Sequence, residues 1–127
     1  MAAYVNSARS LDEMIGTVIQ SLDEQTFADE TLVICTTDHG IAFPRMKCNL
    51  TDHGIGVMLI LRGQGGLTGG SVVDGLVSHI DLFPTICDLT ELPFPDWLQG
   101  VSLIPLVNGV DSVRSEIFGE INYHVCY

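Results

Sequence analysis

Residues 31–40, TLVICTTDHG, join five consecutive apolar or β-branched residues, Leu32 to Thr36, to an abrupt Asp-His-Gly. A short uninterrupted apolar run of this kind reads as a β-strand covered on both faces, as in a parallel α/β sheet. In such sheets ligands sit at the carboxyl ends of strands. Asp38 and His39 therefore fall where a metal or an anionic substrate would be held, and Gly40 lets the backbone turn away. Aspartate supplies a hard oxygen ligand and histidine a neutral imidazole, so adjacent residues can serve one divalent ion. Taken alone, the dipeptide reads first as a strand-end turn with a capping aspartate.

Upstream, Tyr4, Ala8, Leu11, Ile15, Val18 and Leu22 recur in steps of four and three, and Val5, Met14 and Ile19 widen the stripe. The period predicts an amphipathic, core-packing helix over about Ala3–Glu24. Helix followed by strand is the unit of a sheet with crossover helices.

Downstream of Gly40 lies a chemically dense loop, IAFPRMKCNLTDHG, and then a second buried strand expected from about Ile55 to Leu61. Pro44 breaks any helix, and Arg45 and Lys47 place two of the chain's five cations just beyond the Asp-His pair. Basic groups beside a metal suit a phosphate or sulfate group; the plain alternative is a solvated loop. The pentapeptide TDHGI occurs twice, at 37–41 and 51–55. Two Asp-His pairs raise a two-metal centre, yet one follows a strand and the other precedes one, so nothing in the sequence requires both at the same end.

Past Arg62, GQGGLTGG reads as a flexible connection and Val72–Val77 as a short strand. Residues 78–91 read as a short helix with its lead-in, with Asp81 as N-cap or first-turn carboxylate and Pro84 tolerated in the first turn. His79 and Asp81 invite comparison with a catalytic pair, but a cap and its neighbour is the simpler reading. ELPFPDWLQG is a proline-rich loop, Val101–Val107 packs again before the Asn108-Gly109 turn, and Glu116–Tyr127 alternates enough for a strand.

Composition narrows the classes. A length of 127 residues suits one domain with a single core. Sixteen acidic against five basic residues give a net charge of −11, which argues against a nucleic-acid or anionic-membrane partner. The apolar runs fall short of a membrane span, and the N-terminus lacks a basic leader. Cys35, Cys48, Cys87 and Cys126 form no CxxC and read as buried free thiols, leaning towards a reducing, cytoplasmic compartment.

Several of these segments together carry a family resemblance. The stretch from Tyr4 to Gly40 resembles the part of the sulfatase family, within the alkaline-phosphatase-like superfamily, where a long helix leads to a strand bearing Asp-Asn-Gly or Asp-His-Gly. Lys47, Leu50, Asp52 and Gly54 resemble the family's lysine loop, KGTxYExG. VSHIDLFPTICDL is similar to the helix that succeeds it, and PDWLQGVSLIPLV to the next stretch in sulfatases of the heparan N-sulfatase and bacterial arylsulfatase type. The resemblance runs along nearly the whole chain.

It implies an α/β fold: a partial alkaline-phosphatase-like sheet with flanking helices, one domain over residues 1–127. By the resemblance Asp38 is a metal ligand, His39 takes the position of asparagine or histidine, and Lys47 contacts the sulfate. Thr51 departs from the usual aromatic residue, and His53 and Met58 stand where glycine or proline is commoner. On this mapping the second TDHGI is chance similarity. The resemblance also implies a divalent metal, Ca2+ or Mn2+, and a sulfated small molecule or sugar as substrate.

Sulfatases use a cysteine in C-x-P-x-R, oxidised to formylglycine, and an Asp-Asp pair that completes the metal site; this sequence contains neither. The expectation is an internal-to-C-terminal part of a sulfatase catalytic domain, lacking the nucleophile region and the C-terminal subdomain. It would hold no catalytic nucleophile, bind metal weakly, and self-associate or need a partner chain. Three classes stay open: the metal-bearing part of a sulfuric ester or sulfamate hydrolase, a phosphonate or phosphodiester hydrolase of the same superfamily, and a non-catalytic interaction domain.

Overall fold

The amphipathic period near the N-terminus becomes a 22-residue helix, α1 (Ala2–Asp23), within a residue of the expected bounds. Its polar face bonds to its own turns: Thr17 Oγ1 donates to the Glu13 carbonyl and Ser21 Oγ to that of Thr17, both at 2.9 Å. A computed structural model describes residues 2–121 of the chain. They divide into two compact units, with the boundary between Thr31 and Leu32. The first holds α1 and a 3-10 turn at Ala28–Glu30.

The expectation that α1 packs a core is corrected. None of its residues is buried, and Tyr4, Leu11, Met14 and Val18 are each more than half exposed. Within its own unit the helix has only a short turn to meet, so the apolar stripe has no second layer to cover it.

The second unit starts with β1 (Val33–Thr36), which pairs with β2 (Leu59–Arg62). The pairing is antiparallel, with Val33 opposite Arg62 and Thr36 opposite Leu59. This corrects the parallel, doubly covered strand inferred from the apolar run. Two strands form the sheet among the described residues, and β1 is half-buried and then exposed along its length. The second strand also begins later than expected. Ile55 closes a helical turn, α2 (Asp52–Ile55), in which the Gly56 N–H donates to the Asp52 carbonyl at 2.8 Å, and the chain extends only beyond it.

The core of this unit lies around α3 (Leu82–Leu89) and α4 (Ile104–Val107). Leu67, Cys87, Leu103 and Leu106 are its buried apolar residues. Leu67 comes from the glycine-rich run that reads as a flexible connection. The Gly63 N–H donates to the Leu67 carbonyl at 2.9 Å, and positive φ at Gly65 and Gly66 turns the chain so that Leu67 points inward. Thr85, also buried, ties the two helices: its hydroxyl donates to the Asp81 carbonyl at 2.6 Å and accepts the Leu103 N–H at 2.9 Å.

Two further strand expectations fail. Val72–Val77 is irregular, with Val72 90% exposed: it follows glycines in the left-handed region and finds no partner strand. Residues 116–121 are likewise irregular, and the remainder of that expected strand, with Cys126, lies outside the described residues. Cys35, Cys48 and Cys87 are free thiols, Cys87 buried and the other two half-buried. No helix among the described residues is long and apolar enough to cross a membrane.

Candidate functional site

Antiparallel pairing decides where the two Asp-His-Gly segments go. The chain leaves β1 at Thr36 and enters β2 opposite it at Leu59, so both TDHGI copies lie at one end of the ladder. They touch through the backbone: the Gly40 N–H donates to the Gly54 carbonyl at 3.0 Å and the Ile41 N–H to the His53 carbonyl at 3.1 Å. This approach requires glycine. A Cβ on Gly40 would overlap the His53 and Gly54 carbonyls, and one on Gly54 those of Asn49 and Met46. The repeat is therefore a close backbone crossing. No group of three or more His, Cys, Asp or Glu with metal-holding geometry occurs among the described residues, so two metal centres have no support.

Both threonines of TTDHG anchor this end of β1. Thr37 Oγ1 accepts the Met58 N–H at 3.3 Å, and Thr36 Oγ1 is hydrogen-bonded to His79 Nε2 at 2.8 Å. Just beyond, His39 Nδ1 lies 2.6 Å from the carbonyl of Gly40. A carbonyl only accepts, so Nδ1 carries a proton, which in the neutral ring leaves Nε2 as the ligand atom. Nε2 stands 3.6 Å from Asp38 Oδ1. A histidine oriented by a backbone carbonyl, beside a carboxylate 90% exposed, is a donor arrangement that suits two positions on one cation. It fits only part of a shell, because hard divalent ions take six or more ligands.

Lys47 rides on a loop folded on itself. Its N–H donates to the Ile41 carbonyl at 3.1 Å, and the Asn49 side-chain amide donates to its carbonyl at 3.2 Å. Arg45 and Cys48 on either side hold φ of 67° and 64°, a conformation that costs energy in residues other than glycine. Asp38, His39 and Lys47 line one cleft of about 840 Å3, together with Asp52, His79 and Glu120.

Asp81, by contrast, is not a catalytic partner of His79. It is fully buried, and its carboxylate accepts the Ser78 N–H at 2.7 Å, the Val101 N–H at 2.9 Å and the guanidinium of Arg114. The first bond, with the Asp81 N–H returned to the Ser78 carbonyl at 2.9 Å, makes the cap read from the sequence. The Thr36–His79 contact, 43 residues apart, was not legible in that reading. Neither residue carries a local pattern that announces it.

A family model described as Sulfatase matches residues 1–92 of this chain. The chain belongs to the sulfatase family. Among similar sulfatases, human N-sulphoglucosamine sulphohydrolase is 31% identical over 134 residues, covering 98% of this chain and 26% of that protein. Choline-sulfatase of Rhizobium meliloti (strain 1021) is 32% identical over 131 residues, 95% of this chain and 25% of that protein. Steryl-sulfatase of Mus musculus is 34% identical over 143 residues, 98% of this chain and 22% of that protein. The chain thus spans about a quarter of the length of the sulfatases it matches.

Proposed function

We propose that this chain is the metal- and sulfate-binding part of a sulfuric ester or sulfamate hydrolase, contributing its strands to an alkaline-phosphatase-like sulfatase sheet. The observation that supports it is that Asp38, His39 and Lys47 share one cleft, with Asp38 Oδ1 and His39 Nε2 3.6 Å apart. Attack on a sulfate ester builds negative charge on the non-bridging oxygens and on the leaving oxygen. A divalent cation, when bound, would supply Lewis-acid stabilisation of that charge. Asp38 and His39 are the residues that would hold it. Lys47 is assigned to the sulfate, as a compact cation able to meet a tetrahedral anion without fixed bidentate geometry.

With no C-x-P-x-R and no Asp-Asp in the sequence, the nucleophile and the other metal ligands are not among these residues. The 127 residues by themselves are therefore assigned binding and positioning, and hydrolysis is assigned to a domain that supplies those groups. The native ion is proposed as Ca2+ or Mn2+, the substrate as a sulfated small molecule or sugar.

Calorimetry with Mn2+ and Ca2+ tests the assignment. The expected result is a site weaker than micromolar that is lost in both Asp38→Ala and His39→Ala, with sulfate binding to the metal-loaded chain lost in Lys47→Ala. Cation binding indifferent to both substitutions refutes it, and a sub-micromolar site dependent on both shows a complete metal centre where half of one is proposed.

A further inference from the structure

The cleft holds one histidine that neither the family pattern nor the proposed metal site uses. His79 reaches across 43 residues of sequence to the last residue of β1, with Nε2 2.8 Å from Thr36 Oγ1, and Thr36 stands two residues before Asp38. What lies behind His79 is as informative as what it touches. It is the first residue of the 3-10 turn His79–Asp81, whose last residue is the buried Asp81. Asp81 is fixed at once to Ser78, to Val101 and to Arg114, bringing three separate parts of the chain to one carboxylate. Thr85 Oγ1 adds a bond to the Asp81 carbonyl. The turn therefore stands on a buried, charge-assisted anchor, while β1 has one neighbouring strand and ends exposed.

A strand end of that kind keeps local freedom unless something outside the ladder restrains it. Several bonds do: Met58 N–H to Thr37 Oγ1 and the backbone bonds of Gly40 and Ile41 to Gly54 and His53 come from the approach to β2 itself, and His79 to Thr36 comes from the anchored turn. Among these bonds, the one from His79 ties the strand end to a turn outside the hairpin.

We propose that His79 is a positioning residue, which locks the end of β1, and with it the Asp38–His39 pair, to the buried Asp81–Arg114 anchor through its hydrogen bond to Thr36. The inference rests on the reading of Asp38 and His39 as cation ligands. Two ligands on consecutive residues converge on one ion only while the backbone between them holds its course. His79 acts by removing the alternatives, so its contribution shows as affinity and order and not as a contact to the ion.

The test uses the full chain, with two readouts. Nitrogen relaxation of the Asp38 and His39 amides, together with the ring nitrogen signals of His79, needs no ion; Mn2+ titration by electron paramagnetic resonance reads affinity into the millimolar range. Thr36→Val is expected to shift the Nε2 signal of His79 and to loosen the two amides. His79→Phe should loosen them equally, the double variant no further, and His79→Gln, whose amide reaches the Nε2 position, should restore them. Mn2+ binding should weaken about two- to tenfold in His79→Phe and in Thr36→Val, the range one net hydrogen bond spans. An unchanged urea midpoint in these variants separates this from general loosening of the fold. Amides and affinity unchanged in His79→Phe, with binding abolished in Asp38→Ala, would overturn the inference and leave the metal assignment standing. Binding unchanged in Asp38→Ala would overturn both.

Discussion

Replacing Asp81 by alanine removes the carboxylate on which the second unit closes. Its side chain is fully buried, and it accepts from two backbone N–H groups and from the Arg114 guanidinium, itself only 15% exposed. The substitution leaves a buried cation with no partner, and the Arg114 Nε is already without one. Breaking a buried pair from one side costs about 3–5 kcal/mol. Each orphaned N–H adds about 1–3 kcal/mol, reduced where water enters the space left behind. Against a whole-domain stability of about 5–15 kcal/mol, such a loss takes most of the margin. The margin here is at the lower end, because the buried apolar core amounts to Leu67, Cys87, Leu103 and Leu106. Urea unfolding followed at Trp97 reads the effect directly, since this indole stacks on Phe83 of α3 with ring centroids 5.8 Å apart. With a urea slope of about 1–3 kcal/mol per molar, the midpoint should fall by at least about 1 M, or the variant should be unfolded in buffer. Arg114→Met should cost a comparable amount by stranding the carboxylate, and the double variant less than the sum of the two. An unfolding free energy for Asp81→Ala within about 0.5 kcal/mol of the unaltered chain would refute the claim that this carboxylate anchors the unit.

Three other outcomes follow from the same geometry. The chain alone should hydrolyse neither 4-nitrophenyl sulfate nor 4-nitrophenyl phosphate above the rate of metal in buffer; metal-dependent turnover that disappears in Asp38→Ala would contradict the assignment of binding without a nucleophile. Gly54→Ala and Gly40→Ala should each destabilise by about 1–3 kcal/mol, because a Cβ at either position meets carbonyl oxygens, while Gly16→Ala on the open face of α1 should not destabilise; thermal unfolding of the three variants decides this. With no second layer inside its own unit for the apolar stripe of α1, and a sheet of two strands among the described residues, the chain should self-associate or require a partner chain, and sedimentation showing a stable monomer with no binding of a hydrophobe-sensing dye would count against it.

Local chemistry was legible in the sequence, and long-range placement was not. The bounds of α1 follow from its 3.6-residue period, and the place of Asp81 as a first-turn carboxylate from its position at a helix start, both readable within a dozen residues, whereas its bonds to Val101 and Arg114 are not. Strand direction has no such local signature. The run Leu32–Thr36 is equally apolar whether its neighbour runs parallel or antiparallel, and burial on both faces was inferred from composition when it depends on elements elsewhere. Val72–Val77 shows the complementary error: β-branched residues favour an extended chain, but without a partner to accept its hydrogen bonds the segment stays irregular.

The antiparallel register changes what the repeated TDHGI means. Read along the chain, nothing requires the two copies to meet, and the resemblance assigns the second to a lysine loop. They do meet, at Gly40 and Gly54, and the contact involves backbone atoms and bare glycine faces. Two Asp-His pairs at one ladder end would favour a two-metal centre only if their side chains converged, and the close backbone approach works through the glycines instead. Each copy then has its own task. The first places Asp38 and His39 beside the cleft, where the bond to Gly40 aims the imidazole, and the second supplies the carbonyls against which that turn is set. The same crossing sets the start of the lysine loop, because the Ile41 carbonyl next to it accepts the N–H of Lys47. The proposed cation ligands and the lysine proposed for the anion are thus spaced by one backbone arrangement, and a substitution at Gly54 should disturb both although its own position carries no side chain to lose.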